Sequence, residues 1–338
     1  MYGNGATILK KAKTVFFFTL LACYLCPMQD YGVIRSENQF FKTLNNVLID
    51  IKREDLLHPE VSGNKLRKLK YNILHAQEES INTIVTYGGA FSNHIAATSA
   101  AAKIASLSSI GIIRGEELGL NLKKTLTSNN TLLTAHNNGM KFHFVTRESY
   151  KQKDDQYYRE LFKEHGKLMI IPEGGTNQLA IQGTKEILTD LDKSQYDFIA
   201  VAGGTGGTAA GIIESSAPNQ KVLVFSALKG GFLKEEINKL TLRSNFQVFS
   251  EDRFGGYARS DNELIKYMNA RFRESGVPLD PIYTSKMMFH LEDLILKGVF
   301  PKDSRILAIH TGGLQAIAGY NQMLKRKRRE EITYEFEI

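Results

Sequence analysis

The stretch that decides the fold is FIAVAGGTGGTAAG, residues 198–211. The apolar run FIAVA suits a strand buried on both faces, and the glycine- and threonine-rich turn after it leads straight into small, helix-compatible residues. Where a strand passes through such a turn into a helix, consecutive backbone N–H groups converge on an anion at the helix N-terminus. Thr205 and Thr208 add hydroxyl donors. The turn Gly203-Gly204-Thr205-Gly206-Gly207-Thr208 lacks the Lys-Ser/Thr ending of a nucleoside-triphosphate loop, and it lacks an intact G-x-G-x-x-G with a downstream acid. A phosphate monoester fits it better.

The same theme recurs on both sides. INTIVTY (81–87), SSIGII (108–113), MKFHFV (140–145), KLMII (167–171), KVLVFSA (221–227) and RILAIH (305–310) alternate with helical patterns such as SNHIAATSAAAKIA (92–105) and NELIKYMNARFRESG (262–276). Nearly all-apolar strands separated by helices predict an α/β protein with parallel sheets covered on both faces. No Pro/Gly/Ser-rich linker divides the chain, so two domains would be interleaved. In such folds ligands sit at the carboxyl ends of strands. Three further junctions there are rich in glycine and small polar residues: TYGGAFSNH (86–94), MIIPEGGTN (169–177) and LAIHTGGLQ (307–315).

Composition narrows the function. With 338 residues and 42% hydrophobic content the chain can bury a large core, and of its net charge of +7 five charges fall in KRKRR, Lys325 to Arg329. The remainder is near balance, so no nucleic-acid footprint is expected. Cys23 and Cys26 stand as C-x-x-C without the βαβ context of a redox motif or the further ligands of a zinc site, and no metal is expected. They end KKAKTVFFFTLLACYLC (10–26), in which lysines precede an apolar run too short to span a bilayer. An N-terminal extension, residues 1–26, is the favoured reading; an export signal or a lipid anchor at Cys23 is the alternative.

One basic run remains: VSGNKLRKLKYN, residues 61–72. A lysine becomes a covalent reagent when burial or neighbouring cations lower its pKa and a carbonyl cofactor can be held beside it. Beside a phosphate cradle, such a lysine suggests pyridoxal 5′-phosphate.

The chain resembles the 1-aminocyclopropane-1-carboxylate deaminase and D-cysteine desulfhydrase family, of the tryptophan-synthase-β-like fold (fold type II). The resemblance runs from Cys26 to about Tyr320 and is carried, in the family's order, by IKREDLLHPEVSGNKLRKL (51–69), TYGGAFSNH, VAGGTGGTAAG (201–211), LDPIYTSK (279–286) and IHTGG (309–313). It implies two interleaved parallel-sheet domains, the larger of residues 27–65 and 171–338 and the smaller of residues 66–170. It implies pyridoxal phosphate as cofactor, an amino-acid substrate, a cytoplasmic location and a homodimer.

Residue by residue, Lys65 matches the lysine that carries the cofactor, whereas Arg67, Lys68 and Lys70 read as helix-face or structural cations. Asn93 matches the residue facing the cofactor's 3′-oxygen, and Ser92 the hydroxyl beside the substrate carboxylate. Gly203 to Thr208 match the phosphate loop. Tyr283 and, in FGGYAR (254–259), Tyr257 match tyrosines near the reacting centre. Thr284 stands where the deaminases carry the glutamate that partners the pyridine nitrogen, and Thr311 where they carry leucine. Both point to D-cysteine β-elimination, giving pyruvate, ammonia and sulfide. Deamination of 1-aminocyclopropane-1-carboxylate and a non-catalytic ligand-binding protein on the same scaffold are the alternatives.

Overall fold

The strand–helix alternation folds into two sheets in the computed structural model, which describes residues 34–250 and 253–334. The N-terminal extension, with Cys23 and Cys26, lies outside the described residues. The strands are β1 (Asn38–Leu44), β2 (Val47–Lys52), β3 (Thr83–Gly89), β4 (Ser108–Arg114), β5 (Lys141–Val145), β6 (Leu168–Ile171), β7 (Phe198–Gly203), β8 (Lys221–Ser226), β9 (Phe246–Phe249) and β10 (Arg305–Ile309). One sheet has the order β1-β2-β10-β7-β8-β9 and the other β5-β4-β3-β6. The second is formed wholly by a segment inserted between β2 and β7, so the two sheets are interleaved in sequence as expected.

Three strands escaped the sequence reading: β1, β2 and β9. The first two form an antiparallel hairpin at the edge of an otherwise parallel sheet. Its turn is Asn45-Asn46, with φ of 48° and 60°. Two consecutive residues at positive φ match the twist of the flanking strands, and asparagine tolerates that region better than most residues.

Alternate residues of β7 show why these strands read as continuous apolar runs. Ala200 and Ala202 pack in one core with Ile49, Ile306, Met287 and Leu291, whereas Ile199 and Val201 pack in another with Ile212, Ile213 and Leu307. Period-2 side chains thus meet a helical layer on each face.

The helices that build the site are α1 (Asn64–Glu78), α2 (Asn93–Ile104), α3 (Gln178–Thr184), α4 (Gly207–Ser215) and α5 (Thr284–Leu296), and α6 (Ala316–Arg326) follows β10. Helix α3 lies against both α1 and α4 through small residues. A Cβ added to Gly183 would lie 1.9 Å from the carbonyl oxygen of Arg67, and one on Gly211 would lie 2.0 Å from Thr184 Oγ1. The N-termini of α1 and α4, carrying Lys65 and the glycine loop, are thereby held in one frame. At the end of α6 four of the five KRKRR residues are exposed, as a solvated helix end should be.

Of the two readings of the other cations in this run, helix-face and structural, helix α1 supports the structural one. Arg67, Lys68 and Lys70 are all buried. The Arg67 guanidinium donates to both carboxylate oxygens of Glu54, at 2.9 and 2.8 Å, and Lys70 donates to both oxygens of Glu186. Glu54 also accepts from the Ser36 hydroxyl. Removing one member of such a pair leaves its partner charged and dehydrated. Arg67→Met is therefore expected to lower unfolding stability by about 3–5 kcal/mol, read from urea midpoints of the wild type and the variant. A loss below about 1 kcal/mol would mean that Glu54 reaches water.

Candidate active site

Asn64 and Lys65 open α1, preceded by Gly63 at a φ of 64°. A Cβ on Gly63 would lie 2.1 Å from the Thr311 carbonyl oxygen, so no other residue fits without moving the backbone. That same carbonyl accepts the Asn64 N–H at 3.3 Å. The contact joins the start of α1 to the end of β10.

Lys65 Nζ donates to Asn64 Oδ1 at 3.0 Å, and Asn64 Nδ2 donates to Thr208 Oγ1 at 2.7 Å. Burial pushes the Lys65 ammonium down to about 8, against the opposing pull of the Asp280 carboxylate. One turn further, Lys68 Nζ donates to the Gly174 carbonyl and to Thr176 Oγ1. Burial and then the neighbouring Lys65 charge hold Lys68 well below the ordinary lysine range. Both lysines line the same cavity. The signal for Lys68 was in the sequence: residues i and i+3 share a helix face, so the residue three beyond Lys65 should enter the same site.

The glycine loop forms the adjoining wall. Gly206, at a φ of 81°, caps the nine-residue helix α4. A Cβ on Gly203 would lie 2.8 Å from Leu233 Cδ2, and one on Gly207 would lie 2.7 Å from Thr176 Oγ1. The Thr205 and Thr176 hydroxyls bond to each other at 2.7 Å. Backbone amides, hydroxyls and the Lys68 ammonium thus converge on one end of the cavity, at a helix N-terminus.

The opposite wall comes from β3 and α2. Ser92 caps α2, accepting from the Ile95 N–H, and Ser92, Asn93 and His94 all line the cavity. Thr86 Oγ1 donates to the Ile171 carbonyl at 2.8 Å, so it must accept the proton on His94 Nε2, also at 2.8 Å. Burial, followed by the charges of Lys65 and Lys68, pushes His94 well below its ordinary value. His94 is therefore neutral, protonated at Nε2.

Tyr257 and Tyr283 lie edge to face, 6.0 Å between ring centroids, over the cavity. Burial and then the Tyr257 hydroxyl raise the Tyr283 phenol well above its usual range, so it stays protonated. Thr311 also lines the cavity, but Thr284 does not. Its side chain is fully buried, and its hydroxyl donates to Asp280 Oδ1. Asp280 further accepts the N–H groups of Ile282, Tyr283 and Thr284 at 2.8–2.9 Å. These bonds commit its oxygens to the start of α5, while its charge still acts on Lys65.

Of the positions singled out in the sequence, Lys65, Ser92, Asn93, Tyr257, Tyr283, Thr311 and the loop residues Gly203, Gly204, Thr205, Gly206 and Thr208 line one cavity of about 470 Å3. Gly207 lies beside them at the start of α4, and Thr284 stands behind the wall. Glu173 joins them from the junction MIIPEGGTN, Lys68 although it was read as a helix-face or structural cation, and Arg114 without having been singled out. Arg114 is the last residue of β4, and the carboxyl-end rule covers it, although its junction is not glycine-rich. The described residues contain no group of three or more metal-ligating side chains, and no helix among them is long and apolar enough to cross a membrane.

Comparison with known proteins agrees with this geometry. The chain belongs to the pyridoxal-phosphate dependent enzyme family, whose profile it matches over residues 34–312. It is similar to a bifunctional D-cysteine desulfhydrase/1-aminocyclopropane-1-carboxylate deaminase of Arabidopsis thaliana, with 33% identity over 80% of this chain and 73% of that one. A D-cysteine desulfhydrase of Klebsiella pneumoniae is 27% identical over 82% of this chain and 90% of its own. A crystal structure of an ACC deaminase homologue superposes with a TM-score of 0.75 at 26% identity, covering 87% of this chain and 95% of that one.

The cavity fits the family's cofactor on independent counts. Its volume lies within the roughly 300–1,000 Å3 of small-molecule sites, a Cβ would obstruct the glycine loop of its wall, and the same wall carries a lysine whose ammonium is pushed down to about 8. Only a free amine attacks an aldehyde, and at pH 8 about half of Lys65 is free, against well under a hundredth of an ordinary lysine. Uptake of pyridoxal phosphate by the cofactor-free protein should accelerate as pH rises through about 8. Borohydride trapping should label Lys65, and label on Lys68 would overturn the assignment. Gly206→Val, which forces a branched residue to positive φ, should weaken cofactor retention at least about tenfold in a fluorescence titration without lowering the unfolding midpoint to the extent of a core mutation.

Proposed function

We propose that the protein is a lyase acting on a small amino acid with a good leaving group on its β-carbon, D-cysteine first among them. The observation that carries this reading is the set of groups lining the cavity, which includes the Thr311 hydroxyl and no uncommitted carboxylate. Among the described residues lining the cavity the only carboxylate is Glu173, and it is engaged by Lys153 and by the Tyr150 hydroxyl, both at 2.7 Å. Asp280 does not line the cavity, and its oxygens accept from the Thr284 hydroxyl and from three backbone N–H groups.

When bound, pyridoxal phosphate supplies an electron sink for the α-carbon, and that sink is strongest when a carboxylate keeps the ring nitrogen protonated. A wall of hydroxyls supports it less, so a substrate with an acidic α-hydrogen and an easily expelled group is favoured. Ring opening of a cyclopropane without an α-hydrogen demands more.

The protein's own groups divide the work. Lys65, titrating near neutrality, holds the cofactor and moves the α-proton at Nζ. The N–H groups that open α2, with the Ser92 hydroxyl, hold the α-carboxylate. Asn93 orients the cofactor ring. The glycine loop with Thr205, Thr208 and Lys68 anchors the phosphate. Tyr283, kept protonated and bonded to Tyr257, packs beside the departing group. The resemblance also implies a cytoplasmic homodimer.

The name of the Arabidopsis relative, which joins both activities, favours deamination of 1-aminocyclopropane-1-carboxylate as the second reading. Steady-state assays of both substrates separate them. Pyruvate from D-cysteine should exceed 2-oxobutanoate from the cyclopropane substrate in kcat/KM by at least about tenfold, and Thr311→Leu should narrow the gap. The reverse ranking in the wild type would replace the desulfhydrase reading with the deaminase one.

A further inference from the structure

The cavity presents three cationic or N–H-rich features, and an amino acid with a neutral side chain, bound beside the cofactor, would use two. The α4 N-terminus with Lys68 suits the cofactor phosphate, and the α2 N-terminus with Ser92 suits an α-carboxylate. Arg114 is left over.

Its position is well defined. Arg114 pairs in register with Gly89 across β3 and β4, and one guanidinium nitrogen lies 3.4 Å from where a Gly89 Cβ would be. The guanidinium rests over the Tyr150 ring, 5.5 Å from its centroid. Tyr150 is fixed in turn by its hydroxyl bond to Glu173, whose second oxygen is paired with Lys153. The stacking aims the guanidinium while leaving its N–H groups uncommitted: among the described residues it donates no hydrogen bond and joins no ion pair. Glu173, the acid of the wall, feels the Arg114 charge but accepts its hydrogen bond from Tyr150 and forms its ion pair with Lys153. Arg114 and Tyr257 are exposed, whereas Lys65 and Thr311 lie deeper. Arg114 lies beside Gly89, whose carbonyl accepts the Ser92 N–H at 3.0 Å, so a substrate whose α-carboxylate is held at Ser92 brings its side chain within reach of Arg114.

We propose that Arg114 reads a second anion on the substrate, so that the site takes amino acids bearing a negatively charged group beyond the β-carbon. This rests on the reading of the cavity as an amino-acid site. Arg114 acts in recognition and leaves the proton transfers at Lys65 untouched.

D-Aspartate and D-asparagine test it, being nearly isosteric and differing by one charge, and lacking an easily expelled β-group, so that binding is measured rather than turnover. Calorimetric titration of the holoenzyme, with the L enantiomers run in parallel, should show aspartate binding about five- to tenfold tighter than asparagine, as befits an exposed charge pair. Arg114→Gln should bring the ratio to about one while changing asparagine affinity little, and Arg114→Lys should retain part of the preference. Equal binding of both ligands to the wild type would overturn the proposal. So would a preference that survives Arg114→Gln, or an equal loss of both ligands, which would put Arg114 on the α-carboxylate. Pyruvate formation from β-chloro-D-alanine is followed separately. Its absence, with the aspartate preference intact, would sink the lyase reading and leave the role of Arg114 standing.

Discussion

Gly63 packs its α-carbon directly against the backbone of Thr311 and Gly312, and the geometry of the site depends on that contact. A Cβ at Gly63 would fall inside the Thr311 carbonyl, so the approach exists only because residue 63 has no side chain and can adopt positive φ. The contact ties the first turn of α1 to the end of β10, the last strand in the chain. Strand β10 sits between β2 and β7, so two distant parts of the sequence must already be paired before Lys65 has a fixed position. Asn64 extends the tie to Thr208. Three segments separated by more than a hundred residues are thus locked around one amine.

The electrostatics of the cavity follow from this crowding. Lys65 and Lys68 lie on the same face of α1, and burial pushes both toward the free amine; the Lys65 charge adds to this at Lys68, whereas Asp280 opposes it at Lys65. His94 responds to the same two charges and stays neutral. Carboxylates are kept out of the wall or occupied elsewhere: Asp280 caps α5, Glu173 is tied to Lys153 and Tyr150, and Glu54 and Glu186 take the charges of Arg67 and Lys70. The result is a pocket with several ways to hold anions and little to compete with them.

The basic run 64–70 shows where reading a sequence succeeds and where it stops. Lys65 was legible from its motif, preceded by Gly-Asn. Lys68 was read as a helix-face or structural cation: its place one turn beyond Lys65 puts it on the same face, but nothing in the run states that Glu54, Glu186 and the Gly174 carbonyl will meet these cations. The β1–β2 hairpin was missed for a related reason. Its Asn-Asn turn is a weaker hairpin signal than Asn-Gly, and its partner, β10, lies some 250 residues away.

The sequence by itself determined the layered α/β class, the glycine loop and most of the cavity-lining residues, because strand periodicity, turn chemistry and motif order are local properties. Only the tertiary structure decided which cations are buried, which nitrogen of His94 carries its proton, that Thr284 faces Asp280 rather than the cavity, and that Arg114, among the described residues, donates no hydrogen bond and joins no ion pair. Each of those depends on which groups from distant segments come within a few ångströms. Charge state and hydrogen-bond commitment are set by those neighbours, and the residue's own identity and its place in the chain do not contain them.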